Sequence, residues 1–350
     1  MNKRRTKGVF ILNKEKLKRL VTGYNDFSGV ISIKEKENIL LHEAFGYADR
    51  NHKVSNKLDT KIGIASGCKI FTSIAICQLI EEGKLSFDTK IKDCLDIKFS
   101  NFDDDITIEH LLTHSSGIID YFDEETMEDY SDLWKDRPMY NMRELKDFLS
   151  MIQNNGMEFN PGEKFKYNNA GFIVLGLIVE NITGIKFKEY IKKYIFSPLK
   201  MDDTGYFAFD KLPFNTAYGY MKDSDGKWRS NIYSLPIIGG ADGGAYTTAK
   251  DLSKFWKGLS RYKLLSKSTT EKMLTPYINV SNNFYYGYGV WIIKENDGIL
   301  KYYIMGQDPG ISMISSVYPQ SDIEVTILGN SELGTWDINR EINDLIKLKK

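Results

Sequence analysis

Ser66-Gly-Cys-Lys69 places a hydroxyl and an amine three positions apart. At the start of a helix, residues with that spacing share a face, so the amine can reach the hydroxyl. A serine relieved of its proton attacks acyl carbon. A lysine in apolar surroundings loses charge stabilisation, which lowers its proton affinity toward that of a useful base. The same helix start offers the Ser66 backbone N–H, and the positive end of the helix dipole, to an oxyanion. Ser197-Pro-Leu-Lys200, Ser224-Asp-Gly-Lys227 and Ser260-Arg-Tyr-Lys263 repeat the spacing. Pro198 turns the first out of a helix, Ser224 sits in an Asp-Gly turn, and Ser260 lies in a charged helix end; all three read as solvated surface. Ser66 differs in context, because the stretch to Glu82 is largely apolar and Lys69 is its only charge before Glu81.

Tyr167-Asn168-Asn169 is the second group, after Pro161-Gly-Glu-Lys-Phe-Lys and before an apolar segment at Ile173. A phenol near a lysine can share or relay a serine proton, and an amide two residues on can hold both the lysine and a substrate carbonyl. Tyr277-Ile-Asn279 has the same pattern, and residue types alone do not choose between them. His110-Leu-Leu-Thr-His114 has metal-ligand spacing, but no Glu follows the first His and no third ligand is evident. The expectation is therefore structural histidines, with no metal or cofactor. Gly239-Gly-Ala-Asp-Gly-Gly244 lacks the Lys-Ser/Thr ending of a phosphate loop and reads as a flexible or tightly packed loop.

These side chains need a frame. Ser28–Lys34 and Ile39–Gly46 read as a hairpin around the charged turn Glu35–Asn38. The helix carrying Lys69 is apolar on nearly every side, hence buried, and stops at Gly83. From about Thr107 to Leu199 the chain is helix-rich, with Ile173–Asn181 the clearest segment. From Tyr285 the period returns to that of strands, at Tyr288–Lys294, Lys301–Met305, Ile311–Tyr318 and Ile323–Leu328, before a helix over Trp336–Leu348. Strands at both ends predict an α/β (α+β) fold: one antiparallel sheet built from both termini and flanked by helices, with a mostly helical lobe inserted over about 85–240. The cleft between them is the natural place for a site.

Bulk properties narrow the partners. Forty-seven basic and forty-seven acidic side chains cancel, so no global field gathers nucleic acid or anionic lipid. Cys68, Cys77 and Cys94 form no C-x-x-C pattern and cannot all pair, which suits a reducing compartment. The basic N-terminal segment, residues 1–14, has an apolar run of only Val9 to Leu12, short of the roughly 7–15 residues of a signal h-region. No stretch approaches the roughly 18 apolar residues of a membrane span. The expectation is a cytoplasmic protein acting on a small molecule or short peptide, with its oligomeric state open.

Together these segments resemble the serine β-lactamase and penicillin-binding protein superfamily, in its class C β-lactamase, DD-peptidase and carboxylesterase-like branch. Ile64-Ala-Ser66-Gly-Cys-Lys69, Leu79-Ile-Glu-Glu-Gly-Lys-Leu85, Ile108-Glu-His-Leu-Leu-Thr-His-Ser-Ser-Gly117, the segment from Pro161 to Asn169, Ile195 to Thr204, and Gly243 to Asp251 look like its segments in its order, over about residues 15 to 330. The resemblance implies a β-lactamase/transpeptidase-like domain over 15–350, an acyl-enzyme on Ser66, Lys69 and Tyr167 jointly as base and acid, and Asn169 as a substrate-positioning residue. It selects Tyr167 over Tyr277 and implies that the histidine pair holds no metal. Where the family carries Lys-Thr-Gly or His-x-Gly, this chain has Ile304-Met305-Gly306, with Gln307 next. Gly306 survives, and a Gln307 backbone N–H can complete an oxyanion hole whatever its side chain. Tyr302, Tyr303 and Gln307 are candidate substitute donors. The lost cation removes a charge-assisted contact to a substrate carboxylate worth about 1.5–3 kcal/mol, so neutral esters and amides gain over β-lactams. The alternative is a catalytically weak or inactive sensor or binding module on the same scaffold.

Overall fold

A computed structural model describes residues 14–123, 126–127, 129–295 and 298–347. The basic N-terminal segment up to residue 13, and Leu348 at the chain end, lie outside the described residues.

Eight strands form one antiparallel sheet: β1 (Gly29–Glu35), β2 (Asn38–Phe45), β3 (Ile278–Ser281), β4 (Phe284–Tyr286), β5 (Trp291–Glu295), β6 (Gly298–Asp308), β7 (Ile311–Tyr318) and β8 (Ile323–Gly329). Their spatial order is β2-β1-β8-β7-β6-β5-β4-β3, so the first hairpin docks on the last strand and the two chain ends share one sheet. Register sets Ile31 opposite Ile327 and Gly306 opposite Met313.

Helices cover both faces, so the strands alternate between two cores rather than between core and water. Ile31, Tyr303, Ile314 and Ile327 face α1 (Lys14–Thr22) and α5 (Thr335–Lys347), where Leu17, Val21, Ile338 and Ile342 meet them. Their neighbours Val30, Ile304, Met313 and Leu328 face the other core, with α2 (Lys69–Glu81), α3 (Asn169–Thr183) and α4 (Ala249–Ser260).

α2 is buried on all sides as its composition demands, and Phe71 packs edge-on between Phe196 and Phe255 at 5.0 and 5.2 Å. It ends where Gly83 takes φ +70 and the Gly83 and Lys84 N–H groups close on Ile80 and Leu79, each at 3.0 Å.

Several expectations need correction. β3 alternates apolar and polar residues over only four positions, Ile278 to Ser281, and β4 is the three-residue run Phe-Tyr-Tyr, too short a signal to be read as strands. β5 starts at Trp291 rather than Tyr288, because Gly289 bends the chain at φ +70 and Tyr288 stacks on Tyr277 at 4.4 Å. The middle of the chain is less regular than its composition suggests. It holds short helices at Ile108–Leu112, Leu149–Ile152 and Phe187–Ile191, several 3-10 turns, and a hairpin of Tyr220–Lys222 with Trp228–Ser230. Among the described residues no single helix is long and apolar enough to cross a membrane. A bent pair, Asn169–Thr183 with Phe187–Phe196, passes on length and composition, but its apolar residues are core.

Candidate active site

The nucleophile candidate is held by its neighbours rather than by the long helix. Ser66 lies in the 3-10 turn Ala65–Cys68, three residues before α2 begins at Lys69. Ala65 has φ +46, left-handed backbone that a side chain disfavours by about 1–3 kcal/mol. Hydrogen bonds over-determine it: Ile64 N–H donates to Ala245 O at 2.8 Å, and Gly244 N–H to Ala65 O at 3.2 Å. A short ladder sets Ile62 against Thr247 and Gly63 against Tyr246, tying the approach to Ser66 to the glycine-rich loop.

Lys69 is 2 % exposed, and its Nζ lies 2.9 Å from Ser66 Oγ, 2.7 Å from Asn169 Oδ1 and 2.6 Å from the Asp242 carbonyl oxygen. The Tyr167 ring centre stands 4.8 Å from the same nitrogen. Tyr167 is in turn set between His114, 4.5 Å away, and Trp291, stacked at 6.4 Å. Cys68, between Ser66 and Lys69, is fully buried, which pushes its thiol up to about 12 and leaves it unreactive.

Asn169 begins α3, behind an Asn168 cap whose Oδ1 accepts from Gly171 N–H at 2.7 Å. Its amide Oδ1 faces Lys69, and its Nδ2 donates to Asp120 at 3.1 Å, so one of the two Nδ2 hydrogens expected for substrate is already committed. Asp120 also accepts from the backbone N–H groups of Asn169, Ala170 and Tyr121 at 2.7, 2.8 and 2.8 Å. Burial pushes its carboxyl up to about 7, against those donors and Lys69. Burial likewise raises Asp242, whose carboxylate accepts from the Tyr121 hydroxyl.

Ser66, Tyr167, Asn169, Asp242, Gly306 and Gln307 border one cavity of about 870 Å3 with largely aromatic and aliphatic walls. Asp129, Asp242, Asp308 and Glu332 are its charged lining, with no lysine or arginine among the described residues that form it. A Cβ on Gly306 would stand 2.4 Å from Ile64 O and 2.8 Å from Ser66 N, so β6 crosses the Ser66 turn at backbone contact. The Gln307 side chain is engaged with another lining residue, its Oε1 accepting from Trp336 Nε1 at 2.8 Å. Ile304 is 2 % exposed and packs in the core beneath the site. Tyr303 is buried in the core on the opposite face of the sheet, which removes it as a substitute donor.

Residues 17–344 match the sequence profile of the beta-lactamase family. The chain belongs to that family. Within it, the chain is similar to a penicillin binding protein from Bacillus halodurans: 49% identity, TM-score 0.90, covering 94% of this chain and 99% of the other. It is also similar to an octameric penicillin-binding protein homologue from Pyrococcus abyssi, at 29% identity and TM-score 0.83 over 95% and 77% of the two chains. PbpX of Bacillus subtilis (strain 168) is 30% identical over 329 residues, 91% of this chain and 75% of PbpX. The chain is thus a serine hydrolase of the β-lactamase and penicillin-binding protein type, with the antiparallel sheet and flanking helices of that fold.

The other sequence candidates separate from the site. Tyr277 stacks on Tyr288, and the remaining Ser-x-x-Lys pairs are exposed at both ends. His110 Nδ1 accepts from Thr107 N–H in a helix cap. His114 Nδ1 accepts from Asn168 N–H at 3.1 Å, and its Nε2 lies 3.2 Å from the Tyr286 hydroxyl. Asp120 and Asp242 were missed. Asp120 lies three residues past the family-like segment Ile108–Gly117. The glycine-rich loop proved the tightly packed kind: Gly240 N–H closes on Gly243 O at 2.8 Å, and a Cβ on Gly239 would stand 2.5 Å from Gly243 and Gly244.

Proposed function

We propose that this family member hydrolyses uncharged esters and amides through an acyl-enzyme on Ser66. The observation that carries the reading is the set of partners around Lys69 Nζ. A neutral amine has two hydrogens and one lone pair. Asn169 Oδ1 and the Asp242 carbonyl are acceptors at 2.7 and 2.6 Å. With Lys69 neutral, these two acceptors can take its hydrogens, and its lone pair can then accept the proton of Ser66 Oγ, 2.9 Å away.

In the first step Ser66 Oγ bonds the acyl carbon, and its proton passes to the Lys69–Tyr167 pair. The oxyanion rests on the Ser66 and Gln307 N–H groups. Collapse expels the alcohol or amine, which takes that proton, and water then releases the acid. Gly306 supports this hole by leaving the space over the Ser66 N–H open.

The cavity supports the choice of substrate. Its four carboxylates and the buried Ile304 offer no cation to a substrate carboxylate beyond Lys69, which stands behind Ser66. Penicillins carry such a carboxylate and acylate slowly on this reading. The test is intact-protein mass after exposure to p-nitrophenyl acetate or benzylpenicillin, together with ester turnover, for wild type and Ser66→Ala. The expected outcome is Ser66-dependent ester turnover at least tenfold faster than acylation by penicillin. Fast penicillin acylation would overturn the substrate choice, and a single adduct without turnover would favour a binding or sensor module.

A further inference from the structure

We propose that Asp120 is the positioning residue of this site, fixing the Asn169 amide so that its oxygen can only face Lys69 and placing a half-buried negative charge near that lysine. The inference rests on the reading of Ser66 and Lys69 given above. An asparagine amide is free to turn end over end unless a neighbour distinguishes oxygen from nitrogen. Here Asp120 does so, since a carboxylate accepts from Nδ2 and would repel Oδ1. If the amide turned, Nδ2 would face Lys69 Nζ, and one of the two acceptors that orient the lysine would be gone.

The carboxylate is built in rather than incidental. Oδ2 accepts from Asn169 N–H and Nδ2, and Oδ1 from the Ala170 and Tyr121 N–H groups, so four N–H donors converge on one half-buried carboxylate at the start of α3. Tyr121 continues the chain of contacts by donating to Asp242, whose own carbonyl holds Lys69 from the other side. The charged and titratable groups around the lysine are Ser66 in the turn before it, Asp120 and Tyr121 in the loop after Ile118, His114, Tyr167 two residues before α3, and Asp242 in the glycine-rich loop. Tyr130 lies beyond Tyr121 at 3.2 Å.

The sign of the pH effect follows. A negative Asp120 stabilises the Lys69 ammonium, so removing the charge lowers the lysine's proton affinity. Removing the carboxyl also removes its own protonation, raised by burial to about 7. Both changes move the acid limb of activity to lower pH.

The experiment uses the full chain as wild type, Ser66→Ala, Asp120→Asn, Asn169→Ala and the double variant Asp120→Asn/Asn169→Ala, each checked for folding by thermal unfolding. Two rates are read: p-nitrophenyl acetate turnover across pH, and labelling by a fluorophosphonate, in which Ser66 Oγ bonds phosphorus, fluoride leaves and the serine proton passes to Lys69–Tyr167. An asparagine at 120 offers one acceptor oxygen to four donors. The expected result is kcat lowered about 10–100-fold with KM little changed. Labelling slows in parallel, the acid limb moves down, and the double variant is no slower than Asn169→Ala alone.

A folded Asp120→Asn with wild-type rates and an unmoved limb, or additive effects in the double variant, overturns the assignment and leaves the Ser66 reading standing. If neither rate depends on Ser66, that reading falls and the assignment with it. Should Asp120→Asn unfold, Asp120→Glu carries the test: it keeps the charge but moves the oxygens, so the limb holds while kcat drops, and full kcat overturns the assignment.

Discussion

Gly306 shows how little room the chemistry leaves. Glycine here is required by approach, since Ile64 O, Ser66 N and Gly67 N all lie within 2.8 Å of where a Cβ would stand. Gly306→Ala is therefore expected to push β6 off the nucleophile turn. Displacements of that size lower kcat/KM by about 100-fold or more, with a stability loss of roughly 1–3 kcal/mol from overpacking. Active-site titration with the fluorophosphonate and a thermal melt separate the two effects: a slow but folded variant locates the damage at the oxyanion hole, and wild-type labelling would remove Gly306 from it. Ala65, at φ +46, is the complementary case of a residue held in poor geometry by the hydrogen bonds on either side of it.

The elements meet at His114, which links the loop after Ile108–Leu112 to the start of α3 and to β4. Its Nδ1 accepts from Asn168 N–H, so its second nitrogen carries the proton and donates to Tyr286. Its ring also backs Tyr167 and Phe172 at 4.5 and 5.0 Å. Burial, with Lys69 adding to it, holds its proton affinity well below the ordinary imidazole range. An unfolded histidine takes a proton near pH ~6.5, whereas this one stays neutral far below that. The stability it contributes is present above that pH and lost as pH falls, by about 1.4 kcal/mol per unit. Urea unfolding at pH 7, 6 and 5 should show wild type losing stability faster on acidification than His114→Gln; equal slopes would mean the ring is not neutral in the fold.

At the scale of the molecule, net charge misleads. The chain sums to zero, yet the cavity beside Ser66 is bordered by four carboxylates and, among its described lining, no lysine or arginine. A carboxylate-bearing ester approaches against that local field, while a neutral ester does not feel it. Raising ionic strength from about 0.02 to 0.2 M shortens the screening length from roughly 20 to 7 Å. It should therefore raise kcat/KM severalfold for the anionic ester and leave the neutral one unchanged. A fall for the anionic substrate would mean that cations dominate the entrance.

The sequence by itself determined what short-range physics controls. Ser66 and Lys69 are three positions apart, and one turn of chain brings them together whatever the rest does. The strand-to-helix changes of period at both ends made the sheet legible, and family segments in order made its type legible. The joining of Lys69 to Asn169, 100 positions away, and to the Asp242 carbonyl, 173 positions away, followed from packing. The partner of Asn169 is an aspartate 49 positions before it, in a loop with no periodic signal. A carbonyl oxygen carries no residue type, and a buried carboxylate has the same letter as an exposed one. The loss of a cation at Ile304 was legible in the sequence, but Asp120, Asp242 and the acidic lining of the cavity became visible only when the sheet, α2 and α3 had fixed which groups lose water together.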